Sequence, residues 1–170
     1  MSTKLIRRAL IASGLFIGAT AAFSPTAFAA TDATVPLSGT VASTLAITST
    51  ATAGASTLDL DGDGSAAEHI VKVADLAIAT NNEQGYTLTV TSGNLTKDGG
   101  TSIAYKVTTV DDAAAAPATG AFTIASGTAY TVPTTAAGSV PKDLYIQYTP
   151  AALQDAGAYV ATINLTVADN

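Results

Sequence analysis

Ala33-Thr-Val-Pro-Leu-Ser-Gly-Thr-Val-Ala-Ser-Thr-Leu-Ala-Ile-Thr-Ser49 sorts its side chains into two rows. Val35, Leu37, Val41, Leu45 and Ile47 stand at odd positions, with Gly39 and Ser43 in the same row. Ser38, Thr40, Thr44 and Thr48 stand in the other row. Successive side chains of an extended chain point to opposite faces, so this alternation predicts a strand over 33–49 with one dry face and one wet face. Such a ribbon needs a sheet to cover its dry face. The sheet can belong to its own domain or to a neighbouring molecule.

Upstream, Lys4, Arg7 and Arg8 precede an apolar run from Leu10 to Phe23, and Ala27-Phe28-Ala29 supplies small residues for a peptidase. This three-part layout predicts a signal peptide over residues 1–29, cleaved after Ala29. A retained anchor is the competing reading. The run is short beside the ~20 apolar residues of a span, and Ser24-Pro25 interrupts it. The expected mature chain, 30–170, suits one domain. No second long apolar run follows, so no membrane span is expected after processing. The expected location is secreted: extracellular, cell-surface or periplasmic.

Composition narrows the function. There is no cysteine, which removes disulfides, thiolate zinc sites and thiol nucleophiles. Every arginine lies before residue 29, leaving Lys72, Lys97, Lys106 and Lys142 against all thirteen acidic residues. Phosphate contacts need clustered Lys or Arg, so no nucleic-acid partner is expected. His69 is the only histidine, and no serine sits in a Gly-x-Ser-x-Gly elbow. Without a nucleophile and base converging, an enzyme is not expected.

The mature chain is rich in Thr, Val, Ala and Gly, and β-branched residues suit a pleated surface. Short alternating segments recur: Leu58 with Leu60, Ile70 to Ile78, Tyr86 to Val90, Ile103 to Val107, Phe122 with Ile124, Tyr130 with Val132, Leu144 to Tyr148, and Tyr159 to Val167. Ser92-Gly93-Asn94 and Lys97-Asp98-Gly99-Gly100 bracket a hairpin. Segments 111–120 and 133–141 read as long loops, because small residues and proline dominate them. The pattern predicts an all-β fold, an antiparallel Ig-like β-sandwich of about 7–9 strands. The six tyrosines mostly fall on these strands, where packing explains them.

Asp59-Leu-Asp61-Gly-Asp63-Gly64 places carboxylates at alternating positions before a glycine, half of a calcium-loop pattern. The twelfth position is Ile70, which cannot ligate, and Glu68 stands two residues earlier. Asp59, Asp61, Asp63 and Glu68 are therefore the candidate calcium ligands, with a solvated acidic turn as the alternative.

Thr80-Asn-Asn-Glu-Gln-Gly-Tyr-Thr-Leu-Thr-Val-Thr-Ser92 and Ala156-Gly-Ala-Tyr-Val-Ala-Thr-Ile-Asn-Leu-Thr-Val167 resemble stretches of bacterial fimbrial subunits, both spore-coat-U-like secreted proteins and cysteine-free colonisation-factor pilins. The resemblance implies that residues 33–49 complete the sheet of a neighbouring subunit, with Val35, Leu37, Val41, Leu45 and Ile47 filling its groove. The expected function is a secreted structural subunit of a cell-surface filament, fimbria or coat, self-associating by β-strand addition. The alternative is a monomeric extracellular binding or adhesion module, calcium-stabilised, with the first strand folded into its own sheet.

Overall fold

The strand ladder starts later than the sequence predicts. The computed structural model describes residues 33–60 and 64–170. The leader segment 1–29 and the candidate ligands Asp61 and Asp63 lie outside the described residues. Contacts divide the chain into residues 1–39 and 40–170. In the first unit, residues 33–39 are exposed and carry no regular secondary structure.

The second unit holds nine strands among the described residues: β1 Ala46–Ala51, β2 His69–Thr80, β3 Tyr86–Thr91, β4 Asn94–Leu95, β5 Ile103–Asp111, β6 Ala129–Pro133, β7 Gly138–Ser139, β8 Lys142–Tyr148 and β9 Asn164–Asp169. All of their pairings are antiparallel. One sheet runs β1-β2-β8-β5-β4, with β7 also pairing β2; the other runs β6-β3-β9. The fold is an antiparallel β-sandwich.

Alternation decides what each sheet buries. Tyr86, Leu88 and Val90 of β3 point into the core, as do Ile103, Tyr105 and Val107 of β5 and Leu144, Ile146 and Tyr148 of β8. In β2 the register shifts between Lys72 and Ala74, so the neighbours Val73 and Ala74 are both buried before Leu76 and Ile78 resume the alternation. Each such side chain contributes roughly 1.5–3 kcal/mol when fully buried.

β8 is buried on both faces. Asp143, Tyr145 and Gln147 point away from the core yet are covered. Segment 112–128 lies over this outer face. It holds a 3-10 turn, Thr119–Ala121, whose Thr119 carbonyl accepts a 3.3 Å hydrogen bond from Gln147 Nε2, and Phe122 is buried. The expected loop at 111–120 is thus a strap, and no strand forms at Phe122 and Ile124.

Two further expectations change. The strand expected over 33–49 is regular only from Ala46 to Ala51, where it pairs with β2 of the same chain. Residues 33–45 meet no partner strand among the described residues, and a ladder exists only where two strands exchange hydrogen bonds. The run Tyr159–Val167 forms its ladder only from Asn164. Before that, Val160 makes a single bridge to Thr96, and Tyr105 Oη donates to the Thr162 carbonyl at 3.4 Å. The predicted hairpin is present between β4 and β5, closed by Gly100 N–H to the Lys97 carbonyl at 3.1 Å. At the β2–β3 turn, Gly85 has φ +79°, and a Cβ there would stand 2.6 Å from the Thr134 carbonyl oxygen, so only glycine fits.

Candidate functional site

A sandwich has two open flanks where its sheets end, and here they differ. On one flank Tyr130 of edge strand β6 reaches across to β5. Its hydroxyl lies 3.4 Å from Thr108 Oγ1, 3.3 Å from the Thr109 amide and 3.4 Å from Thr109 Oγ1. On the other flank stand the edges of β1 and β9. Among the described residues β1 pairs only with β2 and β9 only with β3. Their outer backbone groups form a ready template for another strand.

These two edges meet at one end only. Asp169 accepts hydrogen bonds from Ser43 Oγ at 2.6 Å and Thr80 Oγ1 at 2.8 Å. Asn81 fixes the same end: its Oδ1 accepts from the Thr44 amide at 2.9 Å, and its Nδ2 donates to the Ala42 carbonyl at 2.8 Å. The bonds from Ser43, then Thr80, hold the Asp169 carboxyl below the usual aspartate range. Residues 42–44 are thereby pinned to the body.

Towards the other end the sheets part around an apolar cleft of about 350 Å³. Leu58, Val73, Leu144 and Ile146 line one wall, and Ile163 and Leu165 the other. Val160, at its margin, is 67% exposed.

The residues expected to fill a partner's groove divide into two sets. Leu45 and Ile47 pack against this chain's own core. Val35, Leu37 and Val41 are 80%, 91% and 90% exposed. Ile47, inside β1, is already committed, so the segment 33–49 does not act as one ribbon.

The described calcium candidates border different depressions. Asp59 borders a depression with Asp155 and Tyr159. Glu68 borders a different one and accepts a 2.6 Å hydrogen bond from Thr119 of the strap, which draws it aside. His69 stacks on Tyr148 with ring centroids 5.3 Å apart, and Tyr148 Oη donates to the Asp59 carbonyl at 2.9 Å.

Strand pairing also builds a cluster that sequence reading missed. Asp75 and Asp143 are register partners on β2 and β8, and Asp112 brings a third carboxylate within 4.8 Å. Lys72 Nζ stands 2.7 Å from Asp75 and 2.8 Å from the buried Asp143. Asp143 and then Asp75 push the ammonium's pKa up, so Lys72 itself supplies the cation here. Lys72 and Asp75 interrupting an apolar run were the only signal, and their meaning depends on the register with β8.

No family model matches this chain, and neither the curated proteins nor the solved structures compared with it contain a match.

Proposed function

We propose that this chain is a secreted structural subunit of a surface filament, fimbria or coat, and that it assembles by β-strand addition. The carrying observation is the pairing of an open β9 edge and apolar cleft with an apolar alternation left uncovered at Val35, Leu37 and Val41. The donor is the segment 33–41 of a second copy. Its main chain would bond to the β9 edge, and its alternate side chains would enter the cleft.

The magnitudes require both contributions. Burying three such side chains gains roughly 5–9 kcal/mol. Association itself costs an estimated 4–15 kcal/mol, so the backbone ladder decides whether the assembly holds. Donor and acceptor are different surfaces. A contact of that kind propagates head to tail and gives an open filament unless it closes into a ring.

Electron microscopy and size measurement of a variant lacking residues 30–41 test this reading. β1 is left intact, so the truncated protein should stay folded and monomeric, and added peptide 33–41 should bind it. Filaments formed as readily by the truncated protein would overturn the proposal.

A further inference from the structure

The outer face of the larger sheet carries a second, open cleft of about 490 Å³, bordered by Ser126 of the strap and by Thr149, Pro150 and Gln154, with no β9 residue in its lining. Its floor is a cross-strand pair, Lys106 of β5 opposite Gln147 of β8, both pointing away from the core. Glu68 stands on its wall, and the hydroxyl residues Thr101, Ser102 and Ser126 form part of its rim.

Three features mark this as a built site. Gln147 is only 6% exposed, and its Nε2 is spent on the Thr119 carbonyl. Its carbonyl oxygen accepts no hydrogen bond from the described residues, although it borders the cleft. Thr119 also donates to Glu68 Oε1 at 2.6 Å, so one strap residue orients both polar groups. Lys106, like Lys97, forms no ion pair among the described residues, whereas Lys72 and Lys142 are both committed to aspartates. That oxygen is not among the buried groups left without a partner, so solvent, and equally a ligand's donor, can reach it.

These groups specify a ligand. Lys106 calls for a negative charge. Glu68 and the Gln147 oxygen call for hydrogen-bond donors. A compact dianion such as phosphate would satisfy the ammonium but put its charge against the Glu68 carboxylate, whereas a larger monoanion can keep its charge on Lys106 and turn neutral hydroxyls towards Glu68. The hydroxyl rim suits a partner that both donates and accepts around its perimeter. We propose that this cleft binds an acidic sugar, with the carboxylate of a uronic acid unit on Lys106 and ring hydroxyls on Gln147 and Glu68. Tyr148, the one aromatic residue in the lining, is buried and offers no face to stack on the ring, so single-sugar affinity belongs in the millimolar range.

Saturation-transfer NMR on the full secreted protein tests the site whether or not the protein is polymeric. The probe is sodium glucuronate, with glucose, acetate and alanine as comparators. The expected result is saturable transfer to glucuronate and at least tenfold weaker transfer to each comparator. K106M should weaken glucuronate binding at least tenfold without changing the melting midpoint, because Lys106 is exposed, and K97M should leave binding unchanged. Transfer to acetate equal to that of glucuronate would mean an adventitious lysine contact and overturn the proposal. Equal transfer to alanine would replace the sugar with an amino acid and overturn it as well. The proposal also fails if K97M weakens binding as much as K106M, or if nothing saturates below 50 mM, about tenfold beyond the expected range.

Discussion

The two flanks of the sandwich show how one fold can be finished on one side and left open on the other. At the β5–β6 flank, a single tyrosine hydroxyl contacts two threonines and an amide across the gap between sheets. At the β1–β9 flank, contact through Asp169 at one end gives way to a cleft lined by apolar residues. The closed flank uses polar contacts within the chain. The open flank exposes backbone and apolar side chains, which stable monomers rarely leave uncovered.

The largest expected effect comes from the uncovered segment. Replacing Val35, Leu37 and Val41 together with Asp should abolish assembly in electron micrographs. Folding stability should move by no more than about 0.5 kcal/mol, as for other exposed sites. Loss of folding in that variant would show that these residues serve the monomer and would erase the contrast between flanks.

Next in size are truncations in the core and beside the cleft. Ile78→Ala, at a fully buried position, should cost about 2–5 kcal/mol in denaturant unfolding. Ile163→Ala, half-buried beside the cleft, should cost the monomer less and the assembly more. Equal monomer losses would mean that the cleft is packed as tightly as the core.

On the closed flank, Tyr130→Phe should cost about 0.5–1.5 kcal/mol, at the lower end because its contacts are 3.3–3.4 Å long. It should not affect assembly. An assembly defect would place the functional flank on the wrong side.

The smallest effect concerns pH. The Asp169 carboxyl titrates below its ordinary range, held by Ser43 and then Thr80. Asp75 and Asp111 are lowered too, by Lys72 and Lys142. A lowered folded-state pKa contributes stability that is full above the ordinary value of about 3.9 and lost as pH falls through the lowered one. Melting midpoints followed from pH 6 downward, below about pH 4, should therefore fall with acid, and D169N should make that fall shallower. An unchanged acid limb in D169N would detach residues 42–44 from the body's stability.

Much of the sandwich was legible because its strands alternate cleanly. Leu88 and Val90, or Leu144 and Ile146, carry period two in their own neighbourhoods. Where the reading failed, the cause was a partner that local sequence cannot name. Residues 33–45 alternate more clearly than Ala46–Ala51 do, yet only the latter face β2. Phe122 and Ile124 look like a strand but belong to a strap, because Phe122 is buried in a segment laid across the outside of a sheet. The open flank was half legible. The apolar row at Val35, Leu37 and Val41 was visible in sequence, whereas the open edge arises from where β9 ends up in the sheet order. The Lys72–Asp75–Asp143 cluster and the Lys106–Gln147 pair were invisible for the same reason, since register alone makes them neighbours.

Backbone amide hydrogen exchange across β9, Asn164–Asp169, bears most directly on the open edge. It should be measured in any polymer the full chain forms and in the variant lacking residues 30–41. The expected result is strong protection of the alternate amides facing away from β3 in assemblies, and fast exchange of those same amides in the truncated monomer. Equal, fast exchange of those amides in both samples would contradict the claim that this edge receives a strand.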